Sequence, residues 1–178
     1  MEKYVNMADI ISAHELGEAE TTALIELLFF AYRDFVSDPD AILEEFGFGR
    51  AHHRVIHFVG RDPGMTVQQL LDILRITKQS LGRVLKELID KGYVFQKEGE
   101  SDRRQRLLHL TAEGEALRQR LMAPQIARIR RAVAQSNADA AHIYRIVLYN
   151  MVSPENRDSV RDWIDRVSVV GATGGGRG

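Results

Sequence analysis

The chain has 178 residues, a hydrophobic share of 44%, 24 basic and 25 acidic side chains, and no cysteine. That length and apolar content suit one ordinary domain with helical appendages and argue against wholesale disorder. The lack of cysteine removes disulfides, thiolate catalysis, cysteine-based zinc sites and cysteine redox sensing, and fits a reducing cytoplasm.

The first ten residues, MEKYVNMADI, do not show the basic start and apolar run of a secretory signal. The apolar stretch 23–36 is broken by Glu26, Arg33 and Asp34, short of the roughly 20 residues a membrane span needs. Both features point to a cytoplasmic protein with no membrane partner. The formal net charge of −1 conceals an asymmetry. Residues 1–49 hold eleven acids against two bases, a balance of −9, whereas residues 75–106 hold nine bases against five acids, a balance of +4. For phosphate binding a local positive footprint matters more than the sum over the chain.

Helical periodicity dominates. Leu24, Leu27, Leu28, Ala31 and Phe35 recur at three- and four-residue steps and predict an amphipathic helix over 19–37. Asp38 followed by Pro39 is a helix-start signal, predicting a second, short helix to about Phe46 before the glycines of GFG. From Arg50 to Val59 one stripe carries His52, Val55, Ile56 and Val59, and the opposite one carries Arg50, Arg54, His57 and Arg61. RDPG at 61–64 is a turn. Thr66 can cap a helix that turns Val67, Leu70, Leu71 and Leu74 inward.

About three residues later Thr77 caps the next helix, and Gly92 ends it. Tyr93–Lys97 and Arg106–Leu110 are two short strands around a polar loop, hence a β-hairpin. Thr111 starts a long helix with Glu113 and Glu115 at its positive end; Pro124 predicts a kink in it rather than a break. Asn137 and Ser153-Pro154 mark two further starts, with Tyr144 and Trp163 as packing residues, and the tail GATGGGRG has nothing apolar to dock.

The helix after Thr77 carries the functional signal. With 100 degrees per residue, Val84, Leu85 and Leu88 fall within about 60 degrees of Leu81, while Gln79, Arg83, Lys86 and Asp90 share the opposite face. An α-helix fits the DNA major groove, where Arg pairs with guanine and Gln with adenine in bidentate fashion. Gln79 and Arg83 have that chemistry. Thr77, Lys78, Ser80 and Lys86 suit contacts near the helix start and with phosphates, which position without reading sequence. Two helices joined by a tight turn make a helix-turn-helix, and a hairpin directly after it makes the winged version. The arginine-rich hairpin tip, GESDRRQR, can then reach an adjacent minor groove.

The stretches TVQQLLDILRITKQSLGRVLKELIDKGYV and SDRRQRLLHLTAEG, in this order and separation, resemble the MarR family of winged-helix regulators over about residues 66–117. The resemblance implies a mainly α fold with a small β-hairpin wing. A winged helix-turn-helix lobe (50–110) would lie between dimerisation helices at 1–49 and 111–168, with an unstructured tail at 169–178. It implies a homodimer on a pseudo-palindromic operator. Asp102 and Arg104 match the wing pair in which an acid orients an arginine toward the minor groove, and Arg103 then contacts phosphate or supports the wing. Arg75 stands where such turns often have glycine, and the chain continues past the usual endpoint through SPENRDSVRDWIDRV.

The resemblance also implies an effector cavity bordered by the helix from Arg50, where His52, His53 and Arg54 could meet a small anionic or aromatic effector. His53 and His57, four apart, raise the alternative of a metal-responsive protein, but no third ligand follows at a recognisable spacing. A winged-helix module that binds protein instead of DNA is the other alternative. No nucleophile-elbow, phosphate-loop or metalloprotease motif is present, so neither an enzyme nor a cofactor is expected.

Overall fold

The computed structural model describes residues 16–99, 102 and 104–173, with side chains as far as 166. Arg103 and residues 174–178 of the tail lie outside the described residues. In chain order the elements are α1 (Glu18–Glu44), α2 (Arg50–Arg61), β1 (Met65–Thr66), α3 (Val67–Leu74), α4 (Lys78–Asp90), β2 (Val94–Glu98), β3 (Arg106–Leu110), α5 (Ala112–Ala134), α6 (Ala140–Met151), a 3-10 turn (Pro154–Asn156) and α7 (Arg157–Thr173). The backbone of α7 therefore carries helix into the stretch read as an unstructured tail. None of these helices is long and apolar enough to cross a membrane.

Two compact units divide the chain, 1–37 and 38–178, and each is taken by itself. Within the first, the helix carries exposed Leu24, Ile25, Leu27, Leu28, Phe29, Phe30 and Tyr32. The apolar stripe read from the sequence is there, but it is uncovered.

The expected separate helix after Asp38-Pro39 does not form: α1 runs on through Pro39 to Glu44. Proline's fixed φ is compatible with helix. The Asp38 carboxylate, which would have served as the cap, instead takes a hydrogen bond from Arg128 of α5 at 2.8 Å. The start signal coincides with the boundary between the units rather than with a break in the helix.

The second unit has one core. Val55, Ile56 and Val59 of α2, Leu70 of α3, Leu81, Val84, Leu85 and Leu88 of α4, Val94 and Leu108 of the sheet, and Leu117 and Leu121 of α5 are all buried. Each fully buried leucine contributes about 1.5–3 kcal/mol through removal from water. The sheet has the order β1-β3-β2, antiparallel throughout, with Val94 opposite Leu110 and Met65 opposite Leu108. Strand β1, only two residues long, is not visible as a pattern in the sequence.

The Leu-Thr-x-x-Gly stretch at 110–114 locks the wing to α5. Thr111 Oγ1 accepts from the Gly114 N–H at 3.0 Å, capping the helix, and donates to the Gly92 carbonyl at 2.7 Å. A Cβ on Gly114 would sit 2.1 Å from the Tyr93 carbonyl oxygen, so only glycine fits there. Helix α5 passes through Pro124 without interruption, one helix rather than two.

Candidate nucleic-acid interface

Helices α3 and α4 are joined by Arg75, Ile76 and Thr77. Thr66 caps α3, accepting from the Gln69 N–H at 3.2 Å while the Gln69 side chain takes the Thr66 N–H at 2.7 Å. At the other end of α3, Arg75 adopts a left-handed conformation, φ 51 and ψ 43, the only non-glycine residue among those described with positive φ. Thr77 caps α4 by accepting from the Ser80 N–H at 3.1 Å. Its hydroxyl also donates to Ser80 Oγ at 2.9 Å, leaving the Ser80 hydrogen available to an outside acceptor.

Leu81, Val84, Leu85 and Leu88 face inward, so the opposite side of α4 is fixed in solvent. Thr77, Lys78, Gln79, Arg83 and Lys86 are exposed and Ser80 is half-buried. Within the described residues neither Gln79 nor Arg83 has a side-chain hydrogen bond or ion pair. Lys86 differs, because its ammonium contacts Asp90 one turn on, at 2.5 Å. The pair is exposed and open to competition from a phosphate.

The far end of α4 is anchored to α2. His52 Nδ1 accepts the Gly49 N–H at 3.1 Å, so Nε2 carries the ring proton and donates to Glu87 Oε2 at 3.0 Å. The imidazole stacks on Phe48 with centroids 4.7 Å apart. Lys91 completes the anchor, 3.1 Å from Glu87 and 3.0 Å from the Phe46 carbonyl. Lys91 first, and His52 second, hold the Glu87 carboxyl below its usual range. This anchor was not read from the sequence, where only the four-residue spacing of Glu87 and Lys91 hinted at it.

The histidines do not converge. His52 is a helix-cap and anchor residue. The imidazole of His57, on the stripe opposite the apolar one, is half-buried because α2 packs against α5 as well as α4. Burial, then His53, Arg118 and Arg61, lower its pKa to about 4, and its buried Nδ1 has no hydrogen-bond partner among the described residues. His53 is lowered as well, by burial first, with Asp40 opposing and Arg54 adding. Arg54 is exposed. Among the described residues no group of three or more potential ligands could hold a metal.

In the wing, Arg106 pairs with Glu98 across the two strands where the loop begins, at 2.9 Å. Asp102 Oδ1 accepts from the backbone N–H of Arg104 at 2.9 Å. The acid thus orders the backbone of the loop, rather than gripping the guanidinium, and the Arg104 side chain is exposed. Trp163, expected to pack, lies edge-on to Phe58 with centroids 5.6 Å apart, whereas Tyr144 is only half covered within the single chain, 47% exposed beside Ile129 and Val133 of α5.

The sequence profile described as the MarR family matches residues 46–105. Over 133 residues the chain is 48% identical to the HTH-type transcriptional regulator PetP of Rhodobacter capsulatus, spanning 75% of this chain and 80% of that protein. The chain belongs to the MarR family. It shares the winged-helix fold of Streptococcus pneumoniae FabT, solved in complex with DNA, at a TM-score of 0.66 and 20% identity, covering 74% of this chain and 94% of that one. The Mycobacterium tuberculosis MarR family protein Rv2887, solved in complex with p-aminosalicylic acid, aligns at a TM-score of 0.52 and 25% identity, covering 73% of this chain and 98% of that one. This MarR-family chain is accordingly a transcriptional regulator.

Proposed function

We propose that this MarR-family regulator binds double-stranded DNA as a homodimer, in the cytoplasm and without catalytic chemistry, on a pseudo-palindromic operator. Each α4 enters a major groove, where Arg83 and Gln79 read base edges. Lys78, Lys86 and the hydroxyls of Thr77 and Ser80 meet the flanking phosphates. Each wing brings Arg104, preceded in sequence by Arg103, to the adjacent minor groove, with Asp102 holding the Arg104 backbone. Two-fold symmetry sets the half-sites about one helical turn, roughly 34 Å, apart.

One observation carries the reading: Gln79 and Arg83 stand exposed and without side-chain partners among the described residues, on the outer face of a helix whose other face is buried. FabT's solution in complex with DNA supports it. The homodimer is supported by uncovered apolar side chains on two helices, among them Leu27 and Phe29 of α1, 62% and 68% exposed, and Val147 and Met151 of α6, 50% and 58% exposed. The p-aminosalicylic acid complex of Rv2887 supports modulation by a small anionic aromatic effector. Since His52 is occupied within the fold, His53 and Arg54 are the residues left for that role.

The test is selection of bound sequences from random duplex DNA by the purified protein, repeated with Arg83→Ala. Enrichment of a two-fold symmetric site, with loss of preference at one base position per half-site in the variant, is expected. An unenriched pool would contradict base readout, and an identical profile from the variant would remove Arg83 from it.

A further inference from the structure

The segment after α6 folds back onto the helix-turn-helix. Arg157 makes the reversal, its guanidinium donating to the carbonyls of Val152 at 3.0 Å and Asn150 at 2.7 Å, which closes the end of α6. Three contacts then hold the segment to the lobe. The Arg75 guanidinium donates to Asn156 Oδ1 at 2.5 Å. Trp163 packs on Phe58 of α2. Arg166 reaches Asp62 at 3.0 Å while its guanidinium lies over the Trp163 ring, 5.0 Å from the centroid.

The chemistry of Arg75 gives this arrangement a function. A left-handed backbone is costly for any side chain and nearly free for glycine. Here arginine occupies the turn that sets α4 against α3, and its side chain bonds a residue 81 positions away. The strain at that turn is thus accompanied by a long-range tether that glycine could not make.

We propose that residues 154–166 form a strap that positions the reading helix, with Arg75 and Asn156 as the tether. Neither residue touches DNA in this scheme: Arg75 is a positioning residue that transmits the strap's placement to Thr77 and the start of α4. The strap therefore belongs to the DNA-reading apparatus as well as to the carboxy-terminal helices. The proposal rests on the DNA-binding reading above.

Four full-length variants test it: Arg75→Gly, Asn156→Ala, Asn156→Asp, and the double variant Arg75→Gly/Asn156→Ala. Two readouts apply, affinity for the duplex selected with the parent protein and acrylamide quenching of Trp163, the chain's only tryptophan, in protein free of DNA. Arg75→Gly and Asn156→Ala should each weaken binding about three- to tenfold, the span expected of one ordinary solvent-exposed hydrogen bond. The double variant should be no weaker than either single one, because both remove the same contact. Asn156→Asp, which keeps an acceptor, should retain the parent's affinity. Quenching of Trp163 should rise in both single variants and not in Asn156→Asp.

Additive losses, parent-like affinity in Arg75→Gly, unchanged Trp163 quenching in both single variants, or failure of Asn156→Asp to rescue would each overturn the strap. Parent protein that selects a duplex and loses preference at one base position per half-site on Arg83→Ala, with the tether variants unaffected, overturns the strap and leaves the DNA-binding reading intact. Parent protein that binds no duplex overturns both.

Discussion

Arg83 and His57 lie on neighbouring helices, one in solvent and the other under α5, and burial assigns them opposite uses. The Arg83 guanidinium, exposed and unpartnered among the described residues, keeps all its donors for a guanine edge. Its removal should cost about 1–3 kcal/mol of operator binding and relax preference at a single position, as measured by titration against the selected site and its single-base variants. His57 instead sets a limit on stability in acid. Its pKa is lowered to about 4, so in the unfolded chain the ring takes its proton at higher pH than in the folded one. Stability is therefore full above about pH 6.5, falls through the window from about 6.5 to about 4, and levels off below, a loss of about 3 kcal/mol. Urea unfolding of parent and His57→Phe at pH 7 and pH 4.5 checks this: the variant should lose markedly less stability on acidification. An equal loss in both would show that other groups set the acid limit.

At the scale of elements, the lobe follows from short-range rules and the additions to it do not. Helices α2, α3 and α4 announce themselves by the period of their apolar residues and by Thr66 and Thr77 as caps, and all three form near the expected limits. The outward placement of Gln79 and Arg83 follows from the inward placement of Leu81 and Leu88, which is why that part of the site was legible. A helical wheel assumes one buried face, and α2 has two neighbours, so the burial of His57 was not legible. Strand β1 is too short to display alternation, and the Arg75–Asn156 bond joins residues whose proximity no local pattern encodes. The wing junction is the most constrained element. Gly114→Ala forces a Cβ against the Tyr93 carbonyl and should destabilise by about 1–3 kcal/mol, as a fall in the denaturation midpoint. Arg104→Ala, by contrast, alters only an exposed side chain and should weaken operator binding while the denaturation midpoint stays at the parent value. An unchanged affinity would take the wing out of the interface.

For the whole molecule, the uneven charge and the uncovered apolar faces fit the proposal of a protein that pairs with a second copy and binds a polyanion. An acidic amino-terminal quarter and a basic helix-turn-helix and wing leave the net charge at −1 while concentrating positive charge where α4 and the wing lie. Leu27 and Phe29 on α1, and Val147 and Met151 on α6, are apolar side chains at least half exposed in the single chain, more than a stable monomer ordinarily leaves in water. Phe29→Asp should therefore shift sedimentation toward the monomer and, with one half-site lost from each particle, weaken operator binding by far more than any single contact would. The central claim, that two copies grip one duplex through cationic reading surfaces, is tested most directly by measuring operator affinity against salt concentration at known stoichiometry. Two chains per duplex and a steep linear fall of log affinity with log salt are the expected result; one chain per duplex, or an affinity indifferent to salt, would contradict it.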